Sequence, residues 1–347
     1  MGGHNILLLA YCGVCVMKIV FYAADKSREH MLAEALAAGA RTFGDSLEIR
    51  RTADYGEALE GPDRKYPGPT SDTDAACTFG VKGRSREIIE THRQMRIATL
   101  MFDKGYYRGK GEAGHTEYSR ISVNGPDPVA YMMLTRRNSE RWNRLGFEIK
   151  ALPTKRNAGH ILICASSEKY HDFHRLPAPH EWTVGLVSQL KKLTERHIVY
   201  RPKPSSTQPQ VGVVDTDDPD EMRKALEHYR AVLFRNKAIP GASFSNGASK
   251  IGDALRGCHV VVTHGSAAAM DALLYGVPAI CLGNSIARPV SETDIAKVDT
   301  PKTPTEVERA VWCNQLAWCQ WTTQELRSGE AWSHLKEEIM RQRVSSK

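Results

Sequence analysis

Short apolar runs alternate with amphipathic segments along most of the chain. The first half predicts strands at 18–23, 47–52, 75–81 and 96–103, and helices at 28–38, 84–94 and 138–146. The second half predicts strands at 160–165, 197–200, 231–234, 258–263 and 278–282, and helices at 182–195, 219–228, 248–256 and 267–275. Apolar strands that alternate with helices are typical of parallel sheets covered on both faces. We therefore expect an α/β protein with two Rossmann-like domains facing a cleft.

Polar stretches with proline and glycine mark the predicted domain boundaries. The linker falls at 153–159, between an N-terminal domain at 17–152 and a C-terminal domain at 157–304. From 305 to 347 the pattern is mostly helical, and it carries Trp312, Trp318, Trp321 and Trp332. Aromatic side chains on terminal helices need a surface to bury against. Either the N-terminal domain or their own domain can supply it. Thr322 and Glu325 have the spacing of a capping box.

Composition indicates a globular chain. The 347 residues are 41% hydrophobic and 25% charged, and no apolar run approaches the about 20 residues that span a bilayer. The longest run, 6–16, lacks the basic segment and cleavage site of a signal peptide. A clean strand, loop and helix pattern starts at Met17. We expect Met17 rather than Met1 to be the natural start, and 1–16 to be an upstream extension.

The cysteines and the net charge indicate the cellular compartment and the kind of partner. Most of the eight cysteines lie in apolar, strand-like runs, where a thiol behaves as a small hydrophobe. Cys12 and Cys15 form a C-x-x-C, but no second pair lies at zinc spacing. Reduced cysteines predict a cytoplasmic protein. The net charge of +7 suits an acidic partner such as nucleic acid or a phosphorylated substrate.

The sharpest local pattern is CHVVVTHGSAAAMDALLYGVPAICLG, residues 258–283. A buried strand leads into a tight turn of His264, Gly265 and Ser266, and a helix follows. Such a turn presents backbone N–H groups and the positive end of a helix dipole, which together bind diphosphate. Asp271, one helical turn further, is placed to accept hydrogen bonds from ribose hydroxyls. An ordinary strand-turn-helix with Ser266 as N-cap explains the pattern equally well.

This stretch resembles the donor-binding strand-turn-helix of GT-B glycosyltransferases, in versions that read strand, small polar turn, acidic residue, Ala, then G-x-P. The family usually has Glu where this chain has Asp271, and the spacing is one residue shorter than in the form H-G-G-x-x-S/T-x-x-E. The resemblance implies a hexosyl- or pentosyltransferase that uses a nucleotide-sugar donor, with a UDP-sugar favoured. In such enzymes a divalent metal is possible but not required.

Two further segments are candidates for donor contacts. HIVYRPKPS, residues 197–205, resembles the strand-end R/K-P-H-P segment of polysaccharide-type GT-B enzymes, with Lys203 where His is usual. Arg201 and Lys203 would neutralise the donor diphosphate, unless they are simply solvated charges at a strand end. Ser166 and Lys169 fall in the first loop of the C-terminal domain, another donor contact in that family.

A candidate catalytic base lies in TLMFDKGYYRGKG, residues 99–111. Asp103 follows a strongly apolar strand, so we expect it at a carboxyl end, aimed at the acceptor. Neighbouring cations would keep it ionised. Asp25, which follows the first strand, is the main rival, with His30 and His115 behind it. The alternative is that Asp103 only caps a turn.

The N-terminal half is rich in basic residues. Residues 82–110 carry eight basic and three acidic side chains, and residues 136–156 carry seven and two. Basic clusters interleaved with aromatics suit a phosphate backbone, although scattered solvated charge explains them as well. The candidate acceptor or DNA contacts are Lys82, Arg84, Lys104, Tyr106, Tyr107 and Arg108.

No metal site is predicted. Asp215–Asp217 and Asp72–Asp74 match the D-x-D of GT-A enzymes, but that motif is short and GT-A folds lack a second Rossmann-like series after it. His171, His174 and His180 are interpreted as a solvated loop rather than a zinc site.

The leading hypothesis is a GT-B glycosyltransferase that acts on a hydroxymethylated pyrimidine in phage DNA, in the host cytoplasm if a phage encodes it. Phage DNA glucosyltransferases share the size, the layout and an Asp base, and the tail 314–332 is similar to segments of phage-encoded proteins of this type. Three alternatives stay open: a cell-surface polysaccharide glycosyltransferase, a sugar-nucleotide epimerase, and a non-catalytic nucleotide- or DNA-binding protein on this scaffold. No obligate protein partner is indicated.

Overall fold

The structure, a computed structural model, describes residues 16–55, 73–106, 118–126, 132, 138–150, 159–203, 238–245 and 250–345. Several predicted features lie outside these residues: the helix 219–228, the strand 231–234, Asp72, Tyr107, Arg108, His115 and Asp215–Asp217. The chain divides into two compact units, Met1–Pro126 with Trp321–Lys347, and Asp127–Gln320.

The first unit is built on a six-stranded sheet. Its strands are β1 (Lys18–Ala23), β2 (Ser46–Arg51), β3 (Ala75–Phe79), β4 (Ala98–Lys104), β5 (Tyr118–Val123) and β11 (Gln320–Thr322), in the order β11-β5-β4-β3-β1-β2. Its helices are α1 (Ser27–Arg41), α2 (Arg84–Gln94), α9 (Thr323–Ser328) and α10 (Glu330–Ser345). Strands β1 to β4 are parallel, whereas β5 is antiparallel to β4. The sequence pattern had not predicted β5 or β11.

The second unit is built on a five-stranded sheet. Its strands are β6 (His160–Cys164), β7 (Ile198–Arg201), β8 (Ser243–Phe244), β9 (Cys258–Thr263) and β10 (Ala279–Cys281), in the order β10-β9-β6-β7-β8. Its helices are α3 (Glu140–Leu145), α4 (Glu168–Phe173), α5 (Pro179–Leu190), α6 (Ile251–Leu255), α7 (Ala268–Leu274) and α8 (Glu306–Leu316). All four neighbouring strand pairs are parallel. Every position of β9 is buried, as a strand covered on both faces requires. The prediction of two Rossmann-like α/β sheets is confirmed.

The chain passes between the units at points that differ from the predicted linker. Residues 138–150, which the pattern assigned to the N-terminal domain, belong to the second unit. The tail is divided as well, because Trp312 lies in the second unit and donates to Ile286 O at 3.0 Å. Helices α9 and α10 pack on α1 in the first unit.

The capping box predicted at the start of α9 is confirmed. Thr322 Oγ1 accepts from the N–H of Glu325 at 3.1 Å, and the Glu325 carboxylate accepts from the N–H of Thr322 at 2.8 Å. Together these bonds satisfy two backbone donors at the point where β11 turns into the helix.

A buried carboxylate, Asp45, joins the beginning and the end of the first unit. It accepts hydrogen bonds from the N–H of Met17 at 2.7 Å, from Trp332 Nε1 at 2.7 Å and from Lys336 Nζ at 2.9 Å. Burying a carboxylate is costly unless its oxygens are paired and hydrogen-bonded. Both oxygens of Asp45 are satisfied, so the site fastens α10 to the start of β1.

The described cysteines are buried, as their apolar runs predicted. Six cysteines are buried thiols, namely Cys77, Cys164, Cys258, Cys281, Cys313 and Cys319. Within the described ranges, no helix has the length and apolar character needed to cross a membrane.

Candidate functional site

The strand order of the second unit defines a crevice between β6 and β9. From β6 the chain passes to β7 on one side, and it later returns to β9 on the other side. Loops that leave in opposite directions open a crevice at the carboxyl ends of the strands, where open α/β sheets bind ligands. The loops concerned are 165–167 after β6 and 264–267 after β9. In the first unit the same rule places a crevice between β1 and β3.

Ser166 is a buried side chain in the first of these loops. The residue is 5% exposed, and its hydroxyl has no hydrogen-bond partner within the described part of the chain. Its neighbour Ser167 caps α4 by accepting from the N–H of Tyr170 at 3.3 Å. Because an unsatisfied buried hydroxyl costs stability, Ser166 Oγ is a group that a ligand at this strand end would satisfy.

Arg201 and Asp271 place opposite charges beside the crevice. Arg201 ends β7, is 5% exposed, and is the register partner of Cys164 at the end of β6. Asp271 lies in the first turn of α7, where burial raises its pKa to about 6 and the charge of Arg201 lowers it. Burial also raises the pKa of Cys164 to about 12, against the charge of Arg201. Cys164 packs in one cluster with Ala272, so these groups share the sheet face that α7 covers.

Tyr170 and His264 form a hydrogen-bonded pair across the crevice. Tyr170 Oη lies 3.2 Å from His264 Nδ1 and donates to Asn284 O at 3.2 Å. Two glycines make room for the pair: a Cβ on Gly265 would lie 2.1 Å from Tyr170 Oη, and one on Gly283 would lie 2.0 Å from His264 Cε1. Burial, followed by the nearby histidines and an arginine, lowers the pKa of His264 to about 4. The imidazole is therefore neutral at pH 7.

The turn after β9 is satisfied by its own side chains. The N–H of Ser266 donates to Thr263 Oγ1 at 2.9 Å, and Ser266 Oγ accepts from the N–H of Ala268 at 3.3 Å. Helix α7 begins at Ala268, one residue later than predicted, so its N-cap is Ala267 and the N-cap alternative for Ser266 is wrong. Since α7 has only seven residues, its dipole is short, and the fixed positive charge at the crevice comes from Arg201.

The remaining donor candidates, Lys169 and Lys203, are exposed. Lys169 lies in α4, directly after the β6 loop, and Lys203 follows β7 by two residues. The structure therefore brings all the predicted donor residues to the carboxyl edge of the second sheet: Ser166, Lys169, Arg201, Lys203, His264, Gly265, Ser266 and Asp271.

The solvated-loop interpretation of His171 and His174 is wrong. His171 lies in α4, is 1% exposed, and has Nδ1 2.7 Å from Pro177 O. His174 packs its ring 4.2 Å from the ring centroid of Tyr170. A backbone carbonyl and aromatic neighbours take the place of water around them, and burial lowers the pKa of both. The described residues hold no group of three or more His, Cys, Asp or Glu arranged to bind a metal ion.

In the first unit, the candidate base Asp103 is held in an ion pair. The antiparallel register sets it opposite Arg120, whose Nη2 donates to Asp103 Oδ2 at 2.7 Å. Asp103 Oδ1 accepts from the N–H of Lys104 at 2.7 Å. The Arg120 guanidinium also lies over Tyr106, 5.3 Å from its ring centroid. Asp103 is therefore the second-last residue of β4 rather than a turn cap.

Asp25 lies at the crevice of the first unit. It follows β1 and pairs with Arg51 at 3.2 Å, with both side chains exposed. Across the crevice, Lys82 follows β3 and is exposed, and Arg84 pairs with Glu87 at 3.1 Å. The structure places four predicted acceptor residues at the carboxyl edge of this sheet: Lys82, Arg84, Lys104 and Tyr106. His30 lies instead within α1.

Three site residues had not been predicted: Tyr170, Gly283 and Arg120. The alternation in YSRISV, residues 118–123, was the available signal for β5 and hence for Arg120. Gly283 stands two residues after β10, and a glycine at a strand end is a signal for close approach. Tyr170 carried no local signal, because its partner His264 is 94 residues away.

Comparison with known proteins gives only distant structural similarity. No family model and no curated protein matches the chain. The chain is similar to the β-Kdo 2,4-transferase of KpsC from Thermosulfurimonas dismutans, at 12% identity over 82% of this chain and 89% of that chain, with a TM-score of 0.42. A glycosyltransferase from Rickettsia africae matches at 10% identity over 94% and 99% of the two chains, with a TM-score of 0.31.

The UDP-GlcNAc 2-epimerase of Methanocaldococcus jannaschii, in complex with UDP-GlcNAc and UDP, matches at 9% identity over 85% of this chain and 97% of that chain, with a TM-score of 0.30. These TM-scores are low. The fold assignment therefore rests on the strand order, and the functional assignment rests on the residues of the site.

Proposed function

We propose that the protein is a glycosyltransferase and that its second unit binds a nucleotide-sugar donor, a UDP-sugar by preference, in the β6/β9 crevice. One observation carries the proposal: a buried hydroxyl without a hydrogen-bond partner among the described residues, a buried cation and a half-buried carboxyl lie at one sheet edge, as Ser166, Arg201 and Asp271. Buried polar groups of this kind cost stability and cluster at functional sites.

Each of these groups suits one part of a nucleotide-sugar. The Arg201 guanidinium neutralises the diphosphate, because its fork of N–H groups matches phosphate oxygens. Ser166 donates a hydrogen bond to the same diphosphate, and ionised Asp271 accepts from the ribose hydroxyls. The exposed Lys169 and Lys203 add positive charge at the edge. With these cations the proposal requires no divalent metal.

The first unit is proposed to supply the acceptor contacts and the base. Asp103 takes the proton of the acceptor hydroxyl, with Asp25 as its rival. The acceptor oxygen then bonds to the anomeric carbon of the donor as the bond from that carbon to the phosphate oxygen breaks. The nucleoside diphosphate leaves with the electron pair, and Arg201 balances its charge. The Asp103 oxygens keep lone pairs for the proton beyond their bonds to Arg120 and Lys104.

The proposed acceptor is a hydroxymethylated pyrimidine in phage DNA. The support is the net charge of +7 together with exposed Lys82 and Lys104 at the same sheet edge as Tyr106. Ion pairs lower the net positive charge of this basic cluster, because Arg84 pairs with Glu87 at 3.1 Å and Arg86 pairs with Glu90 at 3.0 Å. A base within a duplex has to be flipped out to react, and Tyr106 is an aromatic side chain at this edge.

The test combines binding and product analysis. Melting temperatures are measured with UDP, GDP, ADP and their hexoses, with or without hydroxymethylated duplex DNA, because a ligand of the folded state raises the melting temperature. The proposal predicts a shift with UDP and a UDP-sugar, and a gain of hexose mass on hydroxymethylated DNA only. Transfer to a polysaccharide acceptor would overturn the DNA acceptor alone.

Two other outcomes of the same test would identify an epimerase or a non-catalytic binding protein. A changed sugar in the absence of acceptor identifies an epimerase, and binding without any conversion identifies a non-catalytic protein. If no nucleotide shifts the melting temperature, the glycosyltransferase proposal is wrong.

A further inference from the structure

The hydroxyl of Tyr170 lies within hydrogen-bond distance of two groups and cannot donate its proton to both. It is 3.2 Å from Asn284 O and 3.2 Å from His264 Nδ1. A carbonyl oxygen only accepts, whereas a ring nitrogen of neutral histidine either donates or accepts. The phenol has one proton. If it donates that proton to Asn284, it accepts from His264, and the His264 proton then resides on Nδ1.

The surroundings hold this pair in place. The Cβ that any other residue would carry at Gly265 or Gly283 would overlap Tyr170 or His264, as the approaches of 2.1 and 2.0 Å show. The ring centroid of His174 lies 4.2 Å from that of Tyr170. The rings therefore have little freedom to exchange partners.

The imidazole of His264 is also uncharged at neutral pH. Burial and the neighbouring His174, His171 and Arg288 all lower its pKa, which falls to about 4. At neutral pH one ring nitrogen carries a proton and the other carries a lone pair. With the Tyr170 proton donated to Asn284 O, His264 donates to the phenol through Nδ1, and Nε2 is the nitrogen with the lone pair.

We propose that Tyr170 is a positioning residue that holds the His264 proton on Nδ1, and that His264 Nε2 accepts a hydrogen bond from a hydroxyl of the transferred sugar. This rests on the proposed function, since it takes the nucleotide-sugar to lie in the β6/β9 crevice. A phosphate oxygen is itself an acceptor and cannot satisfy a lone pair, so the ligand group at His264 is a hydroxyl. In the proposed function Asp271 accepts from the ribose hydroxyls, so the hydroxyl that binds His264 belongs to the transferred sugar.

The first experiment measures the tautomer directly. Nitrogen NMR of protein with ¹⁵N-labelled histidine distinguishes the protonated nitrogen from the bare one, and the His264 signals are those lost in His264→Gln. We expect the Nδ1–H form at pH 7.5 in the wild type and a mixture of tautomers in Tyr170→Phe. An Nε2–H form in the wild type, or an unchanged tautomer in Tyr170→Phe, would overturn the positioning role. Tyr170→Phe removes a single oxygen atom, and its melting temperature verifies that it folds.

The second experiment locates the hydroxyl. Affinities for UDP, UDP-glucose, UDP-galactose and UDP-GlcNAc are measured by calorimetry at pH 7.5 for the wild type and Tyr170→Phe. We expect Tyr170→Phe to weaken binding of the UDP-sugar about five- to tenfold and of UDP less than about twofold, as for one hydrogen bond. Equal losses for UDP and the UDP-sugar would place the contact on the ribose and overturn the sugar assignment.

The two failures are distinguishable. If neither UDP nor any of the UDP-sugars binds the wild type, the proposed function is wrong and the sugar contact falls with it, while the NMR result still decides the tautomer. If UDP binds and the sugar-dependent loss is absent, the donor site stands and this inference alone is wrong.

Discussion

The charge of Arg201 partly offsets the burial that raises the pKa of Asp271 to about 6. The two residues come from different elements, the end of β7 and the first turn of α7, which meet on one face of the second sheet. Their coupling sets the pH at which Asp271 becomes a carboxylate able to accept hydroxyl hydrogen bonds.

Asp271→Asn should stabilise the protein at neutral pH and leave it unchanged relative to the wild type in acid. The folded pKa of about 6 lies above the ordinary value of 3.8, so the stability it contributes is present below about pH 4 and lost as pH rises through 6. The advantage of the variant should grow by about 2 to 3 kcal/mol between pH 4 and pH 8. Urea unfolding at both pH values measures it.

A difference between Asp271→Asn and the wild type that does not change with pH would contradict this account. His264, whose pKa falls to about 4, contributes a slope of opposite sign in part of the same window. The comparison is therefore between variant and wild type at each pH, where that slope cancels.

Gly283→Ala should disrupt the Tyr170–His264 pair. Its Cβ would lie 2.0 Å from His264 Cε1, so the ring or the backbone has to shift, at an expected cost of about 1 to 3 kcal/mol. The matched control is Gly185→Ala in α5, where a Cβ meets nothing within 4 Å and helix propensity predicts a gain of about 0.5 to 1 kcal/mol. Denaturant unfolding compares the two, and equal effects would refute the close approach.

Much of the fold could be predicted from apolar runs. CHVVVT predicted β9 with its observed bounds, Cys258–Thr263, because a parallel strand buried on both faces is apolar at every position. Strand β5 was missed because Arg120 interrupts its run, and the register that pairs this arginine with Asp103 is not local. Strand β11 has only three residues between helical segments, which is too short for a period of two to show.

The residues of the candidate site could be predicted only where they directly follow or end a predicted strand. Arg201, Ser166 and the turn at His264 follow apolar strands, so their place at one sheet edge follows from the fold. The burial of His171 was not predictable, because its partner is the backbone carbonyl of Pro177. Every residue has a backbone carbonyl, so the sequence does not indicate which one will pair with a histidine. Side chains that meet across loops, such as Tyr170 and His264, depend on packing that local patterns do not encode.

Asp45→Ala should strongly destabilise the first unit. The change would leave Trp332 Nε1 and Lys336 Nζ without the carboxylate that lies 2.7 and 2.9 Å away. Breaking a buried ion pair in this way costs about 3 to 5 kcal/mol. The matched control is Asp25→Ala, which removes an exposed pair with Arg51 and should cost less than about 1 kcal/mol. Thermal and urea unfolding measure both, and similar costs for the two variants would disprove the role given to Asp45.

Asp103→Asn and Asp25→Asn distinguish the two candidate bases. If Asp103 takes the acceptor proton, its variant should lose about 100-fold or more in kcat, with little change in donor affinity, while Asp25→Asn stays within about threefold. Initial rates of sugar transfer under saturating donor measure the effect. The opposite pattern would assign the base to Asp25, and wild-type rates in both variants would exclude a base at either position.

The most direct test of the donor site is calorimetric titration of UDP into wild-type protein, Arg201→Gln and Arg256→Gln. Arg256 is the matched control, an exposed arginine of the same unit that pairs with Asp253 at 3.0 Å. If the β6/β9 crevice binds the diphosphate, Arg201→Gln should weaken UDP about 10- to 100-fold, with Arg256→Gln unchanged. UDP binding of equal strength in all three proteins would show that the nucleotide site lies elsewhere and would contradict the account.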